Sequence, residues 1–482
     1  MRKAFLTILT VVSCSLAWGQ TSLSFHHLGN TTFQNTLINA SYIPNGKVFF
    51  GLPAMSGIHA SYNNKLSYNN IFSKVDNSLV VDTRKILGAL QKRNMTSVET
   101  DINLFHLGYT SATGATIYLF ANERINADFL YPKELLEFIV EGNAGLADET
   151  LKIGKTQLNL THFREMGVGY RYYIDDANLG LGFRLKYYQG FFNMSTPGNF
   201  TADIVTESEN YQLNLEMKNA ALRSSGRDIY AGNTGDLASH LISNGNSGFG
   251  LDFGFEFDMG QYLTIAGSVN DIGFISWKED IRNYTLNDTT MRYTGVSLRE
   301  INDVVQVVKD SLVGKFKNEL ENNDPYNTLM APRAYLSGKY HLTSTNDVTA
   351  TVATRYVQGQ FKMLYGIGIN HQVGNFLTAS INATKYPQQI PNLGAAVAIK
   401  GGPAQFYLAV DQVAYWSVPD FKSLDFRVGI NFIIGSSEGV SEKSPAKSIF
   451  LGKEVEVKGQ EGIYTIIDRQ KKREVDTNTP ER

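Results

Sequence analysis

The sequence predicts an all-β protein, a transmembrane antiparallel β-barrel of about 14 strands (range about 12 to 16) with short loop helices. Three observations predict this class. Apolar and polar residues alternate along much of the chain between residues 47 and 435. The mean hydropathy of −0.19 is too low for a bundle of transmembrane helices, but it suits strands whose two opposed faces average out. Aromatic residues reach 12%, which is typical of a barrel with interfacial girdles.

The N-terminus has the features of an export signal. Residues 1–12 supply a basic start and an apolar stretch, and Ala17 and Gly19 are small residues at the −3 and −1 positions of a cleavage site. We therefore predict a signal peptide over residues 1–19. A competing interpretation makes Cys14, the only cysteine, the lipidated residue of a lipoprotein. Cleavage after Gly19 leaves a mature chain without disulfides, thiolate metal sites or cysteine nucleophiles.

The mature chain divides into three parts. An N-terminal periplasmic or plug segment covers residues 20–46, the outer-membrane barrel covers residues 47–435, and a periplasmic tail covers residues 436–482. Within the tail, the stretches 454–458 and 462–468 predict a small hairpin. We interpret its basic end as a solvated tail, with contact to a periplasmic or secretion-system protein as the alternative.

Alternation predicts the individual strands. It is clearest at residues 179–187, 249–258 and 424–434, and further runs occur near residues 333–342, 347–357, 361–371, 375–384, 393–400 and 404–411. An apolar face turned to lipid makes a membrane barrel, whereas the same face turned inward makes a soluble β protein. Runs of about 9–11 residues favour the membrane barrel, because a tilted membrane strand has that length. Aromatic pairs near the ends of runs, which predict an interfacial girdle, are Tyr172–Tyr173, Tyr187–Tyr188, Phe191–Phe192 and Tyr415–Trp416.

Three stretches have helical spacing, residues 80–90, 132–140 and 299–321. The third is amphipathic, with valines and leucines at intervals of three and four. We interpret all three as loop helices packed on the barrel rim. A plug, a lid or a partner-docking helix is the functional alternative.

Ten charged residues on the polar faces are expected to point into the lumen. They are Arg184, Lys186, Asp252, Glu256, Asp258, Arg333, Lys339, Arg355, Asp425 and Arg427. One interpretation is a network of ion pairs that braces the interior. The other is a polar lumen that selects or steers a solute, whose identity the sequence does not indicate.

Motifs for catalysis or cofactor binding do not occur in the sequence. It has no G-x-x-x-x-G-K-[ST] phosphate loop, no H-E-x-x-H zinc motif and no G-x-S-x-G elbow. The adjacent pair His26–His27 would point to opposite sides of a strand, which disfavours a metal site. We therefore expect no enzyme activity, no cofactor and no metal. A serine nucleophile assembled from distant strands stays an open alternative. The net charge of −2 gives no reason to expect nucleic-acid binding.

Motifs spread over most of the chain carry a family resemblance. They are Asn39–Ser41, Phe49–Ile58, Tyr131–Leu136, Gly167–Arg171, Gly182–Lys186, Tyr407–Trp416 and Arg427–Phe432. Together they resemble a family of Bacteroidota outer-membrane barrels of unknown function, which is similar to FadL-type and PorV-type barrels. The resemblance implies a 14-stranded barrel with an N-terminal segment inside and no known catalytic or ligand residues. The sequence departs from FadL-type chains at Asn39–Ser41, where those often carry Asn-Pro-Ala, and in the tail after Gly435.

Three functional hypotheses follow. The first is a non-enzymatic outer-membrane barrel that contacts lipid and gives FadL-like passage to small or hydrophobic solutes. The second is a PorV-like accessory barrel that binds protein partners, for example in type IX secretion, and transports nothing. The third is a secreted soluble β protein or adhesin.

Overall fold

The structure is a computed structural model, and it describes residues 23–76, 78–142, 145, 147–209, 212–226, 245–285, 289–293, 321–385, 392–412, 420, 422–435, 455–460 and 463–468. Several predictions fall outside these residues: the signal peptide at 1–19 with Cys14, the aromatic pair at 415–416, and most of the tail with its expected partner contact. The predicted helix over 299–321 also lies outside them, except for residue 321, which begins a short strand.

Fourteen antiparallel strands form the barrel. In chain order they are β1 (Val48–Gly51 and Ile58–Asn63), β2 (Arg93–Thr110), β3 (Thr116–Pro132), β4 (Gln157–Ile174), β5 (Leu179–Ser195), β6 (Ser247–Met259), β7 (Leu263–Trp277), β8 (Arg333–His341), β9 (Asn346–Val357), β10 (Gln360–Val373), β11 (Leu377–Lys385), β12 (Asn392–Gly401), β13 (Ala404–Val410) and β14 (Ser423–Ile434). Each strand pairs with the next, and both segments of β1 pair with β14, which closes the sheet. The predicted fold class is confirmed.

The two faces of the barrel wall differ in polarity as a membrane requires. Leu185 on β5 is 58% exposed on the outer face, whereas its neighbours Arg184 and Lys186 are buried on the inner face. The same holds along β14, where Asp425, Arg427 and Asn431 are buried. A soluble β protein would bury the apolar face, because burying apolar surface drives its folding. The exposed apolar belt and the closed sheet are those of an outer-membrane β-barrel.

The predicted strand length is wrong for one side of the barrel. Strands β2 to β5 have 17 or 18 residues instead of about 9–11. The alternation in β5 is interrupted in the sequence because Phe191 is inserted as an extra residue opposite His162 and Phe163 of β4. The girdle prediction is also wrong for two of its residues, Tyr188, which ordinary alternation turns inward, and Phe191, which lies in the bulge. Tyr187 is 38% exposed on the outer face, but Tyr188 and Phe191 are fully buried.

Short turns join the strands at one end of the barrel, and longer connections join them at the other, except for the two-residue turn 358–359 between β9 and β10. The short turns include residues 175–178 and 402–403, where Asn178 and Gly402 adopt positive φ angles of 50° and 59°. Residue 435 at the end of β14 lies at this end. In outer-membrane barrels short turns and chain termini are periplasmic, so the long connections are extracellular.

The extracellular connections contain helices and a small sheet. The helices are α1 (Tyr68–Ile71), α2 (Thr83–Ala89) and α3 (Lys133–Glu141). The sheet has four strands in the order Thr289–Tyr293, Leu213–Lys218, Thr201–Thr206 and Thr150–Lys152. In the described part of the chain, no helix has the length and apolar character needed to cross a membrane.

The first predicted helix begins later than the sequence suggested. Residues 78–81 form a hairpin strand paired with residues 72–75, and α2 starts only after Asp82, whose carboxylate accepts a hydrogen bond from the Lys85 amide. Hydrogen bonds from Ser73 and from that amide lower the pKa of Asp82. The second predicted helix is confirmed as α3. In the tail, Val455–Gln460 pairs with Ile463–Asp468, which confirms the hairpin.

The lipid-facing position of Leu185 leads to a prediction about the stability of the barrel. We expect Leu185→Arg to lower the free energy of unfolding in phospholipid vesicles by about 2–4 kcal/mol, because Leu185 lies near the middle of the apolar belt. The control is Leu79→Arg in an extracellular hairpin, where the residue is equally exposed, at 62%. There we expect a change within about 0.5 kcal/mol. Denaturant titration of vesicle-inserted protein measures both, and equal effects of the two substitutions would contradict a lipid-facing belt.

Candidate functional site

Residues 23–47 fill the lumen, and we call them the plug. They form short helical segments at Leu23–His26, Gly29–Thr31 and Phe33–Leu37. The backbone amides of Leu23 and Ser24 donate to the carboxylate of Asp411, just beyond β13, at 3.0 and 2.8 Å. Because Lys47 is at the periplasmic end of β1 and Asp411 is at the extracellular end of β13, the plug rises through the lumen from the periplasmic side.

Polar contacts fix the plug to the inner faces of many strands. The Gln34 amide bonds Asn431 of β14 at 2.8 Å and the carbonyl of Ser56 at 2.6 Å. Asn30 bonds Glu256 of β6, and the Ile38 carbonyl bonds Ser268 of β7. His27 bonds Thr351 of β9, and the Thr31 carbonyl bonds Gln405 of β13. These partners surround the plug on most sides, so the described lumen is filled rather than open.

Glycines on the inner wall allow the plug backbone to lie close to it. A Cβ atom added at Gly182 of β5 would stand 2.2 Å from the carbonyl carbon and oxygen of Ala40. At Gly394 of β12 it would stand 2.2 Å from Ser24 Oγ. No side chain fits at such distances without displacing the plug. By contrast, a Cβ at Gly180, two residues from Gly182 on the same face, has its nearest neighbour at 3.4 Å.

An apolar part of the inner wall lies behind the plug. We call it the neutral wall, and it consists of Ala353, Leu364, Ala396, Ala398, Tyr407 and Ala409 on β9, β10, β12 and β13. The plug side chains Leu23, Phe25, Leu28 and Ile38 pack against it and against Tyr335 of β8. All of these side chains are at most 5% exposed. The neutral wall is small-residue surface covered by larger apolar side chains of the plug.

The opposite part of the wall carries a buried network of charges, which we call the ionic cluster. It consists of Glu99, Asp101, Arg124, Glu165, Arg184, Lys186, Asp252, Asp271 and Arg333. Arg124 is at its centre and donates to Asp101 at 3.1 Å, to Glu165 at 2.8 Å and to Asp271 at 2.9 Å. Lys186 Nζ lies within 3.3 Å of Glu165, Asp252 and Asp271. Each charge is thus compensated by side chains of the wall.

The structure places all ten predicted residues on the inner side of the wall. Arg184, Lys186, Asp252 and Arg333 belong to the ionic cluster. Beside it, Arg355 forms a bidentate pair with Asp128, and Asp425 bonds His59 at 3.2 Å. The remaining four are near the plug or the periplasmic end: Arg427 lies over the Phe25 ring, Glu256 accepts from Asn30, Lys339 reaches the plug beside Gly29, and Asp258 accepts from Tyr173. Any role of these residues in selecting a solute stays a prediction.

Sequence reasoning missed Arg124, Glu165 and Asp271, three members at the centre of the cluster. Asp271 has φ +60° in a bulge opposite Asp252, so it faces inward together with its neighbour Asn270. Period-two alternation cannot place two consecutive residues on one face. Another bulge, at Asn103/Phe105 in β2, reverses which positions face inward along that strand. The run Asn122–Asp128 does alternate in the sequence, and this alternation could have identified Arg124 as a residue that faces the lumen.

Two histidines of the plug are buried against the wall. They lie within the lumen, outside the membrane-spanning strands. Burial lowers the pKa of His27 from 6.5 to about 3, and Lys339 adds to the effect. Burial, then the neighbouring His27 and Lys339, likewise hold the pKa of His26 well below its usual value. Both imidazoles are therefore neutral at physiological pH. Because residues 23–46 contain no Asp, Glu, Lys or Arg, this part of the plug carries no charge.

One group of side chains in the described residues has the spacing of metal ligands. His59, Glu99 and Asp101 bring ligand atoms within 4.8 Å of one another. However, the His59 nitrogens contact Asp101 and Asp425, while the carboxylates of Glu99 and Asp101 pair with Arg333 and Arg124. Guanidinium groups at these positions would repel a cation. We therefore assign these residues to the charge network.

The family model described as "Family of unknown function (DUF5723)" matches residues 41–411. The chain belongs to this family. No curated protein matches the chain. Similar solved structures include the Pseudomonas putida toluene transporter TodX (10% identity, TM-score 0.36, 86% of this chain and 95% of that one). Another is the Ralstonia pickettii toluene transporter TbuX (8% identity, TM-score 0.40, 85% and 98%). A third is the translocator domain of the Neisseria meningitidis autotransporter NalP (8% identity, TM-score 0.29, 82% and 90%). With such low TM-scores, these likenesses carry no weight for function.

The close approach at Gly182 predicts how the plug can be released. We expect Gly182→Ala to weaken plug binding by about 1–3 kcal/mol, because the methyl group overlaps backbone atoms of the plug. A cysteine introduced at Leu28, in a Cys14→Ser background, should then react about 5- to 150-fold faster with an impermeant maleimide. Gly180→Ala is the matched control and should leave the rate unchanged. Equal rates in the two variants would show that the plug is not held by this contact.

The buried histidines predict that acid loosens the plug. Their pKa values are lower in the plugged state than in the released state, so the plugged state is favoured fully above about pH 6.5. That preference decreases as the pH falls from there toward 3. Labelling of Leu28→Cys, normalised to the exposed Ser78→Cys, should therefore rise between about pH 7.5 and pH 5. A His26→Asn/His27→Asn variant should lose this rise; if it kept the full rise, other groups would be responsible.

Proposed function

We propose that the barrel admits small apolar solutes across the outer membrane along the neutral wall, with the plug as its gate. The observation that carries the proposal is the division of the lumen. Charges on one side are paired with one another, whereas the neutral wall on the other side is apolar surface, interrupted by uncharged polar residues of β11 such as Ser380 and Asn382, and is covered by the plug. A solute that enters when the plug moves meets alanine and tyrosine surface, where burial of its own apolar area is favourable.

The way the plug is held supports its role as a gate. It contributes no charged side chain between residues 23 and 46, so its departure leaves the ionic cluster with its wall partners. Besides its apolar contacts with the neutral wall, the plug loses hydrogen bonds, such as those of Arg184 to the Thr36 carbonyl and of the Ser24 amide to Asp411. Exposed to water, these groups regain hydrogen bonds, so each net loss is about 1.5–3 kcal/mol, the range for hydrogen bonds to charged groups. Removing one partner of a buried ion pair would cost about 3–5 kcal/mol.

Entry of two probes into intact cells tests the proposal. N-phenylnaphthylamine reports the entry of an apolar molecule, and hydrolysis of nitrocefin by a periplasmic β-lactamase reports the entry of a polar one. We expect deletion of residues 23–46 to raise entry of the apolar probe most, with Gly182→Ala between the deletion and the wild type. Gly180→Ala is the control. Mobility of unheated samples on gels verifies that each variant forms a barrel.

A charge on the neutral wall tests the path itself. In the deletion background, Ala398→Asp should reduce entry of N-phenylnaphthylamine, because an uncompensated charge disfavours apolar contact. Asn126→Asp, on the charged side of the lumen, is the matched control and should have little effect on that probe. If folded barrels without the plug admit neither probe, the chain does not transport, and the accessory role in protein binding would be the better hypothesis. Equal gains for both probes would contradict selection by the neutral wall.

A further inference from the structure

A small cavity lies between the plug and the ionic cluster. Its volume is about 20 Å³, so it has room for a single small ion or water molecule and not for an organic solute. Leu37 and Ile38 of the plug form one side. The wall side presents four cations, which are Arg124, Lys186, Arg333 and Arg427, and only two carboxylates. More cations than carboxylates thus face the cavity, although Glu165, Asp252 and Glu99 compensate Arg124, Lys186 and Arg333 from behind it.

Arg427 is the lining residue whose hydrogen-bonding capacity is unused. It is 5% exposed, and within the described residues its guanidinium donates no hydrogen bond. The nearest carboxylate oxygen is Asp101 Oδ2 at 3.7 Å, beyond hydrogen-bond distance, and that oxygen already contacts His59 Nδ1 at 2.9 Å. The Arg427 guanidinium also lies over the Phe25 ring at 4.8 Å. A buried guanidinium has five N–H donors, and leaving them unsatisfied is costly.

The other cations around the cavity differ in this respect. Arg124 is saturated by three carboxylates, and Lys186 Nζ has three carboxylates within 3.3 Å. Arg333 pairs with Glu99 through Nη2, but its Nε has no hydrogen-bond partner among the described residues. The free donors at the cavity are therefore concentrated on Arg427 and Arg333.

We infer that this cavity binds a small monovalent anion of the size of chloride, held by Arg427 with Arg333 beside it. The cationic groups that face the cavity would repel a cation, and an anion, unlike water, would pair with the charge of Arg427, which has no carboxylate at hydrogen-bond distance. Since Leu37 and Ile38 close one side, the anion is a resident of the plugged state. The site does not depend on the proposed solute passage, because its test measures anion binding and not transport.

Bromide can replace chloride and be located by its anomalous scattering, so crystals of the full chain grown in bromide give a direct test. We expect one anomalous peak between Arg427 and Arg333 in the wild type and none there in Arg427→Gln. The control is the double variant Arg355→Gln/Asp128→Asn, which removes a nearby buried pair whose arginine binds its carboxylate through both Nη atoms and does not line the cavity. This control should keep the peak. No peak in the wild type, or an unchanged peak in Arg427→Gln, would overturn the assignment.

Thermal unfolding in detergent gives a second test that does not need crystals of a variant. Sodium chloride should raise the unfolding temperature of the wild type above that in sodium gluconate at equal ionic strength, because chloride binds the folded state alone. The rise should increase with chloride concentration, persist in the control double variant and disappear in Arg427→Gln. If the wild type unfolds at the same temperature in both salts, the cavity holds no resident anion.

Discussion

The barrel depends on compensation of the charges within its lumen. A closed sheet of 14 strands in lipid places every second side chain inside, and here many of those side chains are charged and fully buried. Desolvating a carboxylate or guanidinium costs several kcal/mol, which only close opposite charges and well-formed hydrogen bonds offset. Arg124 is an example, because its guanidinium donates hydrogen bonds to carboxylates on three strands, β2, β4 and β7. The contact between Arg124 of β3 and Asp271 of β7 links strands that do not pair with each other, so the network also braces the lumen.

The outer features of the fold follow from period-two alternation, and sequence reasoning could therefore predict them. Leu424–Ile434 shows this, because its apolar residues face lipid and its polar residues face the lumen as the pattern indicates. Strand number followed from chain length and the even count that barrels require. The inward position of residues such as Arg184 and Lys186 followed from the same alternation.

The centre of the lumen could not be predicted in this way, because bulges shift the alternation where the charges converge. Asp271 faces the cluster only through its left-handed backbone conformation, and β2 changes its inward set after Asn103. Partners such as Arg124 and Asp271 are also 147 residues apart in the chain. Only the closed three-dimensional sheet brings them together. The packing of the plug likewise depends on glycines such as Gly182. The sequence alone does not show why this position must be glycine, because the reason is the close approach of Ala40 in the folded barrel.

The plug is held largely by apolar contacts, whereas the ionic cluster is held by ion pairs within the wall. Because of this separation, the plug can move while the barrel stays stable. Charges that relied on plug residues would be left unpaired in the lumen whenever the plug moved, at a cost of about 3–5 kcal/mol for each broken pair. Instead, the plug covers the neutral wall with apolar side chains, and each of these gains about 1.5–3 kcal/mol from burial. An apolar solute on the same surface recovers part of that burial energy. Exchange between the plug and a solute therefore replaces one set of apolar contacts with another, while the charged part of the wall stays intact.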